Sequence, residues 1–188
     1  MALLRETKTK TFRGAVPIPF SMIETLEPRL LLSVGGGFAN AGIEGAYFNN
    51  TTLSGTPSFT RKEVRVNFDW GTTLAPGGSL SPGYADVGHN NFSVRWTGQV
   101  VAAFAETYTF QTVTDDGVRL YIKPTSSGTW TTVIDDWTAH PATTDSGTYT
   151  LTAGTTYDIK MEYYQNTGAA TAQLSGPAPA HHRKSSTR

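Results

Sequence analysis

"ETYTFQTVTDDGVRLYI", Glu106 to Ile122, sets two alternating runs on either side of a pair of adjacent carboxylates. Tyr108 and Phe110 alternate with Thr107 and Thr109; Val118, Leu120 and Ile122 alternate with Arg119, Tyr121 and Lys123. Period two with one oily and one wet side is the mark of a half-buried strand. Between the runs stand Asp115, Asp116 and Gly117. Asp-Gly is tight-turn chemistry, and a turn needs only one aspartate. The other carboxylate is surplus to that purpose and repels the first. Two like charges ~4 Å apart at an effective dielectric of ~20 cost about 4 kcal/mol. Either solvent screens that repulsion, leaving an ordinary Asp-Asp-Gly hairpin, or a cation removes it.

The same alternation continues outward. "FSVRWTGQV" from Phe92 places Phe92, Val94 and Trp96 against Ser93, Arg95 and Thr97. "YDIKMEYY" from Tyr157 places Tyr157, Ile159, Met161 and Tyr163 against Asp158, Lys160, Glu162 and Tyr164. "TTVIDDW" and "GTYTLTA" are shorter cases. Turn signals stand between them at Ser127-Gly128, Ser146-Gly147, Ala153-Gly154 and Thr167-Gly168. Short, closely spaced strands with no helical period predict an all-β, antiparallel sandwich or barrel.

Composition narrows the function classes. With no cysteine there is no disulfide framework and no thiolate metal site. No run approaches the ~20 apolar residues of a membrane-spanning helix. The formal net charge of zero conceals a division: residues 34–180 hold seven Lys/Arg against twelve Asp/Glu, between basic ends. Phosphate binding needs clustered Lys/Arg, so nucleic acid is a poor partner and cations a natural one. No nucleophile elbow, phosphate-binding glycine loop or His-Glu-x-x-His is present, so no enzymatic centre is predicted.

Residues 1–40 read as a leader: basic at the start, with short apolar patches broken by Pro17, Pro19 and Pro28. Within it "LEPRLLLS", Leu26 to Ser33, resembles the LEPR-x-LL segment near the N-termini of exported planctomycete proteins. That resemblance implies export to the cell surface or beyond. Residues 41–177 are predicted to be the folded domain, and 178–188 a basic tail or linker that includes His181 and His182. The abrupt ending suggests a piece of a longer multidomain protein.

Six stretches in order resemble the PA-fourteen domain, named for anthrax protective antigen. They are "GIEGAYFNN" from Gly42, "VNFDWG" from Val66, "NFSVRWTGQV" from Asn91, the opening stretch, "VIDDWTAH" from Val133, and "YDIKMEYYQNTGAATAQLS" from Tyr157. The resemblance covers about residues 42–176 and implies a jelly-roll-like β-sandwich. In the family's sugar-binding members an adjacent aspartate pair, joined by a cis peptide, holds Ca2+, which grips sugar hydroxyls. Asp115 and Asp116 match that pair. "QNTGAA" matches the family's second ligand loop, implying the Asn166 side chain and the carbonyls of Gly168 and Ala170 as further ligands. The implied function is a non-catalytic module binding a glycan or polysaccharide through Ca2+. A structural or protein-contact module of the cell surface is the alternative. Small residues at Gly168, Ala169 and Ala170 replace the aromatic that the adhesins carry there.

A second pair, Asp135 and Asp136, precedes Trp137 and is open to a structural role or to being the metal site instead. Trp130 and Trp137 are the candidates for stacking on a sugar, with Trp137 also suited to the core. His140 is set aside as a zinc ligand because no partner stands at metal-ligand spacing.

Overall fold

The structure is a computed structural model that describes residues 42–78, 87–102 and 104–178. The leader, the end of the chain from 179 with His181 and His182, and part of the long polar loop before Asn91 lie outside the described residues. The described residues form ten strands: β1 (Ile43–Phe48), β2 (Phe59–Glu63), β3 (Asn67–Gly71), β4 (Phe92–Val101), β5 (Glu106–Asp115), β6 (Val118–Pro124), β7 (Thr131–Asp136), β8 (Thr143–Leu151), β9 (Thr156–Gln165) and β10 (Ala170–Ala178). No helix stands among the described residues.

Two antiparallel sheets result. One has six strands in the order β2-β1-β4-β9-β6-β7, the other four in the order β3-β10-β5-β8. The long pairing of β4 with β9 runs in unbroken register from Phe92↔Gln165 to Val101↔Thr156. Each sheet presents its alternating apolar residues inward. Phe92, Val94 and Trp96 are buried, as are Val118, Leu120 and Ile122, and Tyr157, Ile159, Met161 and Tyr163. Each fully buried side chain of this size stabilises by roughly 1.5–3 kcal/mol. The rings interlock: Trp96 lies 5.7 Å from Phe68, 6.2 Å from Tyr47 and 6.1 Å from Tyr163.

Three expectations change. Ser146-Gly147 is no turn but the middle of β8. Glycine is required there by space, since a Cβ would stand 2.0 Å from the Val133 carbonyl oxygen, where β8 closes against β7. Glu162, assigned by alternation to the wet face, is 5% exposed. It is clamped between Arg95 and Arg119, each with a guanidinium nitrogen 2.9 Å away. Most consequential, Asp116-Gly117 does not join a hairpin. β5 belongs to the four-stranded sheet and β6 to the six-stranded one, so these residues form a corner between sheets.

Candidate functional site

That corner explains both aspartates' surroundings. Strand β5 ends at Asp115, beside Thr171 of β10. Strand β6 leaves at Val118, beside Tyr163 of β9. The corner therefore meets the β9–β10 loop, residues 166–169, where that loop too passes between the sheets. Gly117 has no positive φ to justify it. A Cβ there would lie 2.4 Å from Cε1 of Tyr164 and 3.1 Å from the Asp136 carbonyl oxygen. The turn residue of the sequence is a packing residue in the fold. The Asp115–Asp116 peptide is cis, as the resemblance implied.

Asp116 is 6% exposed, so it is not the solvated member of a surface turn. Both its oxygens accept from main-chain donors: Oδ1 from the His140 N–H at 3.2 Å, and Oδ2 from the Asn166 N–H at 2.7 Å. The second bond ties the two predicted ligand loops together across 50 residues. Asp115 is half-buried. Loss of hydration raises its carboxyl above the usual range and the Asp116 charge raises it further, while the His140 side chain and the Ala142 N–H pull it down. A carboxylate held against its own ionisation beside another is a site that gains from a cation.

Two buried residues that the sequence reading passed over build the support. Tyr163, fully buried, donates from its hydroxyl to the Asp115 carbonyl, and Oε1 of Gln165 also lies 3.0 Å from that hydroxyl. Gln165 Nε2 donates to the Ala169 carbonyl at 2.9 Å, closing the β9–β10 loop. Of the three carbonyls from 168 to 170, this engages the one the family pattern leaves out. Burial pushes the Tyr163 hydroxyl up, and the charges of Asp115 and Asp116 push the same way. Only the core period of β9 marked Tyr163, and period cannot reveal a hydroxyl partner.

Asn166, Thr167, Gly168 and Ala169 are exposed, while Ala170 is buried at the start of β10. The corner thus brings the aspartate pair to the Asn166 loop, and carboxylate, amide and carbonyl oxygens are the ligands a hard cation such as Ca2+ takes. Asp135 is exposed, and Asp136 shares the inward side with Ile134, as period two required. Trp137 flanks the corner: its ring lies 4.7 Å from Tyr164 and 3.9 Å beneath the Arg119 guanidinium. Trp130 does not join the site. It lies between the ammonium groups of Lys123 and Lys160, at 5.0 and 5.1 Å. Lys123 is five residues along β6 from Val118, or about 17 Å at ~3.4 Å per residue.

The sequence profile of the PA14 domain matches residues 39–185. The chain belongs to the PA14 domain family. Anti-sigma-I factor RsgI3 of Acetivibrio thermocellus is 43% identical over 134 residues, which is 71% of this chain and 18% of that protein. The chain thus spans less than a fifth of that relative's length. A solved anti-sigma factor domain-containing protein is 41% identical, with a TM-score of 0.62 over 74% of this chain and 44% of its own. The PA14 sugar-binding domain from an RTX adhesin is 22% identical, with a TM-score of 0.52 over 71% of this chain and 88% of its own; that likeness shows the fold. The PA14 assignment agrees with the all-β, antiparallel architecture.

Proposed function

We propose that this PA14 domain is a non-catalytic carbohydrate-binding module that uses Ca2+ held by Asp115, Asp116 and Asn166, with the carbonyls of Gly168 and Ala170. One observation carries the reading. Asp116 is fixed by one N–H from each of two loops, which holds the aspartate pair beside the Asn166 loop. The name of the adhesin relative, a sugar-binding PA14 domain, supports the same reading. When bound, Ca2+ supplies positive charge and open coordination positions for vicinal sugar hydroxyls. The protein's part is positional. Tyr163 holds the Asp115 main chain, Gln165 holds the loop, and the exposed run from Asn166 to Ala169 forms a low rim.

Small side chains on that rim leave a ligand accessible and give little surface for stacking, so selection falls to Trp137 and neighbouring polar groups. Export to the cell surface follows from the Leu26–Ser33 resemblance and fits a glycan partner.

A glycan array, followed by calorimetry in Ca2+ and in chelator, tests this. Binding that vanishes with chelator and with Asp115→Asn supports the module. Silence across all sugars, with Ca2+ still taken up, leaves a structural or protein-contact module in which the ion stiffens the loops.

A further inference from the structure

Asp136, His140 and Asp145 each bring one ligand atom within 4.8 Å of the other two. They come from the end of β7, the following loop, and β8. Sequence spacing could not show this set, because Asp145 arrives only when β8 pairs with β5, opposite Thr112.

Buried ligand atoms without partners make the cluster a site. His140 Nδ1 lies 2.9 Å from the Pro141 carbonyl oxygen. A carbonyl only accepts, so Nδ1 donates to it, which leaves Nε2 as the ring atom free to ligate a metal. Nε2 is buried with no hydrogen-bond partner, on a ring only 11% exposed, and Oδ2 of Asp145 is likewise buried and unpartnered. Oδ2 of Asp136 stands 3.6 Å from Nε2, while its Oδ1 takes the Thr138 hydroxyl. Three side chains of metal-ligating type thus converge on one point. A ring whose Nδ1–H is anchored on a carbonyl is also the second-sphere arrangement of a metal-bound histidine.

We infer that Asp136, His140 and Asp145 form a second cation site, for a first-row transition ion of the Zn2+ class. One imidazole and two carboxylates suit such ions, whereas Ca2+ prefers oxygen alone. Ligands at about 2.0–2.2 Å from Zn2+ stand about 3–3.5 Å apart, so the half-exposed Asp136 need close only modestly. The ion ties the Trp137–Pro141 loop to β8. That loop also carries the His140 N–H that holds Asp116, so the second site adjoins the first without sharing its ligands.

The test uses the full chain carrying His181→Ala and His182→Ala, so that the tail cannot bind metal. Zn2+ is titrated calorimetrically at saturating Ca2+, and Co2+ is followed by its visible absorption. The expected result is one equivalent of Zn2+ bound alongside Ca2+, at least tenfold weaker in His140→Ala and in Asp145→Asn, and unchanged in Asp115→Asn. No uptake at saturating Ca2+ overturns the inference. So does uptake unchanged in both cluster variants, or loss in Asp115→Asn. Circular dichroism confirms that each variant folds, and should His140→Ala not fold, Asp145→Asn decides.

Discussion

The main-chain N–H of Asn166 donates to Oδ2 of Asp116 at 2.7 Å, while the N–H of His140 takes the other oxygen of the same carboxylate. Asp116 therefore has a structural role that is independent of the proposed ion. Asp116→Ala leaves two main-chain donors near the core without an acceptor, at a cost of about 2–4 kcal/mol. The loss should appear in chelator as fully as in Ca2+. Urea denaturation in chelator measures it, and a variant as stable as wild type would mean that water replaces both bonds.

Asp115 should behave in the opposite way. Its carboxyl is raised above the ordinary 3.8, first by lost hydration and then by Asp116. The folded form thus holds that proton more tightly than the unfolded chain does. The associated stability is full below the ordinary carboxylate value and is lost as pH rises through the raised one. Asp115→Asn removes the charge, so in chelator at pH 7 the variant should melt higher than wild type. The margin is a few degrees, at roughly 2–4 °C per kcal/mol. It should narrow toward pH 4, where wild type regains its proton. A variant that melts lower at pH 7 would show that the Ala142 N–H and His140 outweigh the repulsion.

Calcium should reverse that order. An ion bound only by the folded form stabilises by about 2.7 kcal/mol at 100 times Kd. The wild-type midpoint should then rise by about 5–11 °C over chelator. Asp115→Asn should lose most of this rise. Melting curves of both proteins in Ca2+ and in chelator give all four values, and a wild type indifferent to Ca2+ removes the ion from the proposed function.

The strands of the core were legible because Tyr108, Phe110, Val118, Leu120 and Ile122 repeat with period two and face a single apolar layer. Period says nothing about which sheet a strand joins. The Asp116-Gly117 pair therefore read as a hairpin, although β5 and β6 part company there. The short strand β2 escaped notice because "FTRKE" has only Phe59 to bury fully. The aspartates and the Asn166 loop were placed by family resemblance. Their supports were not, since Tyr163 and Gln165 look like any inward residues until the fold brings Asp115 and Ala169 to them.

Glu162 gives a test of the outer sheet face, away from any ion. Arg95 and Arg119 each hold one of its oxygens, at side-chain exposures of 37% and 30% against 6% for Glu162. Glu162→Gln keeps the shape but leaves two guanidinium groups facing each other across a neutral amide. Because both arginines remain partly solvated, the expected loss is about 1–3 kcal/mol rather than the larger cost of a fully buried broken pair. Calcium affinity should not change. Chemical denaturation at low and high salt reads it: the loss should shrink at high salt, where the mutual repulsion of the arginines is screened.

Tyr163 separates positioning from general stability. Its ring packs 5.9 Å from Phe92 and 6.1 Å from Trp70, contacts that Tyr163→Phe preserves. Only the hydroxyl is lost, and with it the bond to the Asp115 carbonyl and the contact with Oε1 of Gln165. Leaving those acceptors short of a donor costs about 1–3 kcal/mol. Since Asp115 and the Asn166 loop are both held through this hydroxyl, calcium affinity should fall by about 10–100-fold, as for other outer-shell partners of metal ligands. Tyr157→Phe is the matched control. Its hydroxyl accepts from the Thr152 N–H at 2.9 Å, six residues back along the same strand and about 20 Å from the corner. That variant should lose comparable stability and keep its calcium affinity. Isothermal titration of the two variants with Ca2+ decides the matter. Equal affinities would reduce Tyr163 to a core residue and leave the aspartate corner to hold its own geometry.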